Sequence, residues 1–148
     1  MSKLKRTKLE YNAESKTAVC KYQYKHHQFM GSAKCHEDDY DFSSELIGLD
    51  LAEQRAYLEY LKVKRDELAI RYQTLKGFYE QLKADKNFDV NSTYSRKMAA
   101  EIVYCHYELV DCRMAIREIP KRMDAKIKGR EDLYQKLRKA RKEKKDNK

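Results

Sequence analysis

Between residues 7 and 35 the chain alternates apolar and polar positions with a period of two. Ala18, Cys20, Tyr22 and Tyr24 alternate with Thr17, Val19, Lys21 and Gln23; Phe29, Gly31, Ala33 and Cys35 then alternate with Gln28, Met30, Ser32 and Lys34. Successive side chains of a strand point to opposite faces, so the pattern predicts a β-hairpin turning at His26-His27. Leu9 and Tyr11 lie on one face of an earlier segment, set off by residues 12–16, and supply a third antiparallel strand. Three short strands are marginal alone, so one face must be covered, and Gly31 and Ala33 leave room for a helix to come close. The acidic linker 36–42 then offers Asp41 or Ser43 as the N-cap of the next helix.

From about residue 44 the period changes to three and four. Ile47, Leu51, Leu58, Leu61, Leu68, Tyr72, Leu75, Tyr79 and Leu82 form a heptad-like stripe, with Gln54 and Arg65 as its two polar positions. This predicts about 60 Å of helix at 1.5 Å per residue. Asn and Asp cluster around Phe88 in residues 85–92, and the stripe resumes as Met98, Ile102, Cys105, Leu109, Cys112, Ile116, Ile119 and Met123. Two long helices joined by a short loop run antiparallel. Cys112 is then expected near Arg65, Gly129 near Gly48, and Arg65 paired with Glu108 or Asp111. Pro120 removes a backbone donor and is expected to kink the second helix, and residues beyond about 138 have no apolar period and are expected to fray. The expected fold is α+β, mainly α: a three-stranded meander in residues 1–42, an antiparallel coiled-coil hairpin in 43–135 and a basic tail in 136–148.

A second apolar line lies off the main seam. Val103, Tyr107, Val110 and Met114 carry it on the second helix, and Val63, Ile70 and Phe78 on the first. A two-helix hairpin buries one stripe per helix, so these residues point to a homodimer or a partner face; the alternative is packing on the β-module.

Composition sharpens this picture. Charged residues make up 39% of the chain, well above the ordinary quarter, so the core must be narrow, as in paired helices. The charge is uneven: residues 1–36 hold eight basic and two acidic residues, 37–92 eight and thirteen, 93–148 seventeen and nine. Such asymmetry points to an anionic partner. One basic set is Lys136, Arg138, Lys139, Arg141, Lys142, Lys144 and Lys145; the other is Lys3, Lys5, Arg6, Lys8, Lys21, Lys25 and Lys34. The antiparallel return is expected to bring both sets to one end, where they would attract phosphates through counterion release. Tyr22, Tyr24, Tyr57 and Tyr60 offer stacking surfaces for bases, although aromatic residues at this spacing are more often core.

Signals for chemistry are weak. Cys20 and Cys35 have His26, His27 and His36 as neighbours, but no Cys-x-x-Cys or His-x-x-x-His spacing occurs, and the thiols fall on apolar faces. Cys105 and Cys112 occupy seam positions, and His106 faces away from its neighbour Cys105. Glu37, Asp38, Asp39 and Asp41 read as a helix cap rather than a cation site. The chain has no glycine-rich phosphate loop. We therefore expect no metal, no cofactor and no enzymatic activity. No apolar run approaches the roughly 18 residues of a membrane span, and the first residues lack the apolar segment of a signal peptide. A cytoplasmic protein without a membrane partner is expected.

The block 29–56, with Gly31, Ala33, Cys35, Asp38-Asp39, Asp41-Phe42, Gly48, Ala52 and Arg55-Ala56, resembles a pattern of small bacteriophage and prophage proteins. The resemblance covers less than a quarter of the chain. It implies a mobile-element origin and the host-interaction or anti-defence roles of such proteins, inhibitors of CRISPR nucleases included. The expected function is a non-enzymatic protein that engages nucleic acid, or a nucleic-acid-loaded host complex, through its basic end. The alternative is a structural adapter that binds another protein through Tyr-rich helical faces.

Overall fold

The structure is a computed structural model that describes residues 3–34 and 45–146. Cys35, His36, the acidic residues Glu37, Asp38, Asp39 and Asp41, and the cap expected at Asp41 or Ser43 lie outside the described residues. Three strands, β1 (Lys5–Asn12), β2 (Thr17–Tyr24) and β3 (His27–Lys34), precede two helices, α1 (Glu45–Ala84) and α2 (Thr93–Asp146). The α+β, mainly α class expected from the sequence is the one observed. The chain forms two compact units, Met1–Tyr60 with Glu118–Lys148, and Leu61–Arg117.

The first unit is built on the antiparallel sheet β1-β2-β3. Its register sets Cys20 opposite Gly31, Ala18 opposite Ala33 and Tyr22 opposite Phe29. The alternation therefore becomes one buried face of Ala18, Cys20, Tyr22, Tyr24, Phe29, Gly31 and Ala33. The start of α1 covers that face. Ala52 and Ala56, one turn apart, are fully buried, and a Cβ added at Gly31 would lie 2.1 Å from the Ala52 carbonyl oxygen. Only a residue without a side chain admits the helix backbone there. The Tyr22 hydroxyl donates to Glu53 Oε1 at 2.7 Å, and Arg55 Nη1 donates to the Ser32 carbonyl oxygen at 2.6 Å, which tie the helix to two strands.

The hairpin turns at Lys25-His26 rather than at His26-His27, and His27 opens β3 opposite Tyr24. This register stacks small against small where α1 approaches and aromatic against aromatic beyond it. Turning one residue later would set Tyr22 opposite Gly31 and block the helix. Lys25 takes a positive φ of 54°, as the first residue of a tight two-residue loop must to follow the strand twist. At the other hairpin Asn12 Oδ1 accepts from the backbone N–H groups of Glu14 and Ser15, an Asx turn that ends with Lys16 at φ 54°.

In the second unit the two helical segments pair along the expected seam. Leu61, Leu68, Met98, Cys105, Leu109 and Cys112 are buried, and Tyr72, Leu75, Tyr79, Ile102 and Ile116 half-buried. Two contacts repeat at heptad spacing: Cys112 Sγ donates to the Leu61 carbonyl at 3.2 Å, and Cys105 Sγ to the Leu68 carbonyl at 3.6 Å. Residues seven apart on both helices meet in reverse order, as antiparallel helices require. The connection is stiffened by its polar residues. Asp85 Oδ1 accepts from Asn87 N, Asp89 Oδ1 from Asn91 N, and Ser92 Oγ from Ser95 N, the last capping α2. Buried Ser95 shares a 2.9 Å hydrogen bond with the Tyr79 hydroxyl, so its polar group is satisfied.

Two further expectations are corrected. Arg65 pairs with Asp66, its own neighbour, at 3.1 Å and not with Glu108 or Asp111. Both side chains are partly exposed, and the neighbouring acid is reached without crossing the apolar seam. The tail does not fray at 138: α2 is helical to Asp146. Lys, Arg and Ala are good helix formers, and Lys144 and Lys145 in the last turn complement the negative end of the helix dipole.

Candidate nucleic-acid interface

The C-terminal basic set is carried entirely by α2. Lys136, Arg138, Lys139, Arg141, Lys142, Lys144 and Lys145 are all exposed, with Glu143 the one acid among residues 136–145. At 3.6 residues per turn they point all round the helix, so these turns form a positively charged rod rather than a basic stripe. Seven cations in about 15 Å of helix axis approach the charge spacing of a duplex, about one phosphate per 1.7 Å. Like charges four residues apart, Arg138 with Lys142 and Arg141 with Lys145, each cost about 0.2–0.5 kcal/mol. An anion that neutralises them would relieve this cost.

The N-terminal set is divided by the sheet. Lys8 and Lys21 are direct cross-strand partners on the face away from α1, with Lys5 opposite Gln23 on that same face. Lys3 precedes β1 at the edge where the β2–β3 turn carries Lys25, whose ammonium lies 5.1 Å from the Tyr24 ring centroid. Lys34 lies at the far end of β3, opposite Thr17. Part of this charge is already engaged: Lys8 Nζ is 3.4 Å from Glu10, and Arg6, directed to the α1 side, is 3.5 Å from Glu53. The sequence gives no signal for Glu53, which receives both Arg6 and the Tyr22 hydroxyl. Both basic sets belong to the first unit.

Of the tyrosines near these lysines, Tyr22 and Tyr24 are buried in the core and Tyr57 and Tyr60 are half-buried. Tyr24 packs edge-on against Tyr60 at 5.1 Å, Tyr22 against Tyr57 at 6.3 Å, and Phe29 against Tyr60 at 6.2 Å. These edge-on contacts engage the rings within the unit, and burial leaves Tyr22 and Tyr24 little surface for stacking. The Tyr22 hydroxyl is held protonated well above its ordinary value, first by burial and then by its bond to the Glu53 carboxylate.

Cys20, Cys105 and Cys112 are buried free thiols. Burial pushes the pKa of each above the usual thiol value, which keeps them as S–H donors. Among the described residues no three His, Cys, Asp or Glu side chains gather as metal ligands would. An open cleft of the first unit is lined by Leu46, Ile47, Asp50, Lys126, Gly129, Arg130 and Leu133. Its Lys126 ammonium pairs with Asp50.

The off-seam line of the second unit is largely solvent-facing. Ile70 is 69% exposed, Phe78 48%, Val103 51%, Tyr107 63% and Met114 57%, whereas Val63 and Val110 are half-buried. Tyr104, which lies outside both apolar lines of the sequence, is 67% exposed beside them. No described helix is long and apolar enough to cross a membrane. The chain matches no family model, no curated protein and no solved structure.

Proposed function

We propose that the protein is a non-enzymatic, cytoplasmic nucleic-acid-binding protein whose contact with phosphates is made by the basic turns of α2. The observation that carries this reading is the exposed helical decade 136–145, with seven cations and one acid. A solubilising surface needs charge of mixed sign and scattered position, whereas a single-sign rod concentrates potential where a polyanion can release its counterions. Lys5, Lys8 and Lys21 on the outer sheet face, with Lys3, Lys25 and Lys34, extend the field. Contacts of this kind carry little sequence information, so the binding is general for phosphate backbones.

The resemblance of residues 29–56 to small phage proteins extends this proposal to the partner: a nucleic-acid-loaded host complex, with inhibition of a defence nuclease as the outcome. The exposed apolar residues of the second unit favour the adapter reading, in which the tail serves only solubility.

The experiment is titration of labelled single-stranded and duplex oligonucleotides over a range of salt, with the intact protein and with a variant ending at Tyr134. The intact protein should show log affinity falling with log salt, and the variant a slope flatter by roughly 0.7–0.9 for each phosphate that the missing turns no longer neutralise. A folded truncated protein that keeps its affinity and its salt slope would make the tail a solubility device and the adapter the better reading.

A further inference from the structure

Helix α2 is apolar on two opposite faces in the second unit. One is the seam of Ile102, Cys105, Leu109 and Cys112, covered by α1. The other is Ala100, Val103, Tyr107, Val110 and Met114, at spacings of three, four, three and four. All but half-buried Val110 are exposed. At 3.6 residues per turn the two lines are nearly diametrically opposed. A surface helix needs one apolar stripe, so a second one calls for a second partner.

We propose that this outer stripe is the interface of a parallel, in-register homodimer, in which α2 of one copy packs against α2 of the next. The spacing is that of a coiled-coil seam, with Ala100, Tyr107 and Met114 at one core position and Val103 and Val110 at the other. The residues beside the stripe select both partner and direction. In a parallel pair the residue just before Ala100, Tyr107 or Met114 faces the residue five places later on the other copy. Arg113 then meets Glu118. An antiparallel pair would set the Tyr104, Asp111 and Glu118 edge against itself and leave Arg113 without its acid. Arg113 and Asp111 are exposed, and Glu118 has only a 3.8 Å contact with Lys121 along its own helix, so these charges are available.

The corresponding line on α1 does not compete. Between Val63, Ile70 and Phe78 its alternate positions are Glu67 and Thr74, which break the apolar run. A seam of about two heptads falls at the low end of specific interfaces, about 1,200 Å², so a dissociation constant on the order of micromolar is expected.

Sedimentation velocity of the full chain from about 0.1 to 100 µM should show a concentration-dependent monomer–dimer shift around that constant. Tyr107→Glu, which places two charges at the centre of the seam, should remain monomeric throughout with unchanged far-ultraviolet circular dichroism. Orientation is read by Ala100→Cys: in a parallel pair the introduced thiols face one another, and mild oxidation should give a covalent dimer beyond the wild-type level. An antiparallel pair separates them by the length of the stripe. A wild-type chain that stays monomeric, or a dimer unaffected by Tyr107→Glu, would overturn the interface. Failure of Ala100→Cys to cross-link would overturn the parallel register. The measurements use no nucleic acid, so they stand apart from the function proposed above.

Discussion

Replacing Gly31 by Ala tests the close approach on which the first unit depends. The added methyl would lie 2.1 Å from the Ala52 carbonyl oxygen, 2.4 Å from the Ala56 nitrogen and 3.0 Å from Arg55 Cβ. Ordinary non-bonded carbon contacts begin near 3.5 Å, and the first two obstacles are helix backbone, which cannot rotate away. The start of α1 must therefore retreat from the sheet by more than about 1 Å, enough to forfeit much of the dispersion energy across the gap. The residues drawn apart are Ala18, Cys20, Ala33, Ala52 and Ala56, all buried. Overpacking of this kind costs about 1–3 kcal/mol, and a backbone obstacle belongs at the upper end. Gly31 has no positive φ, so Ala also gains about 0.5–1 kcal/mol by restricting the unfolded chain. The net loss is about 2 kcal/mol, or roughly 4–8 °C in melting temperature for a chain of this size. Gly129→Ala is the matched control in the same unit: nothing lies within 4 Å of the added methyl on exposed α2, and the substitution should raise stability by up to about 1 kcal/mol. Calorimetry should show the two variants moving in opposite directions. A Gly31→Ala protein melting at or above wild type would mean that α1 does not seat on Gly31.

In the second unit, Leu68→Ala should cost about 2–5 kcal/mol by leaving a cavity at the seam beside Cys105, and denaturant titration should find a larger loss than for exposed Ile70→Ala; an equal or smaller one would refute the seam. The thiols give an alkaline signature. Cys20, Cys105 and Cys112 are raised by burial, and Tyr22 by burial and Glu53, so each loses its proton less readily folded than unfolded. Their stabilising contribution is complete below the unfolded values, near pH 8.5 for thiols and 10 for phenols, and the protein becomes less stable as pH rises through the range in which only the unfolded chain ionises. Stability should therefore decline from about pH 9, and a disulfide reagent at pH 8 should label Cys20, Cys105 and Cys112 in denaturant but not in the native protein. A native protein that reacts at all its cysteines as fast as the unfolded chain would refute the burial.

Periodicity told which faces are buried, and it told this well. The period of two from Ala18 to Ala33 and the three-four stripes through Leu61, Leu68, Leu109 and Cys112 became the sheet core and the helical seam, and the Asn- and Asp-rich residues 85–92 became the capped connection. What it did not tell is what each face or charge meets. Arg65 chose Asp66 and Arg6 chose Glu53, because rotamers and tertiary neighbours decide ion pairs and neither leaves a period in the sequence. The turn moved to Lys25-His26 because the size order of facing residues across two strands outweighed the local turn signal. The same limit governs the proposed surfaces. The basic residues of 136–145 were legible as charge, but their arrangement around a helix rather than along a frayed tail depended on propensities and end charges that no apolar pattern reports. The outer line of α2 was legible as apolar and unmatched, and spacing alone would accept any partner helix. The sign and placement of Arg113, Glu118 and Asp111 beside it narrow that choice, because charges at a coiled-coil rim discriminate between partners and directions that the apolar core tolerates equally.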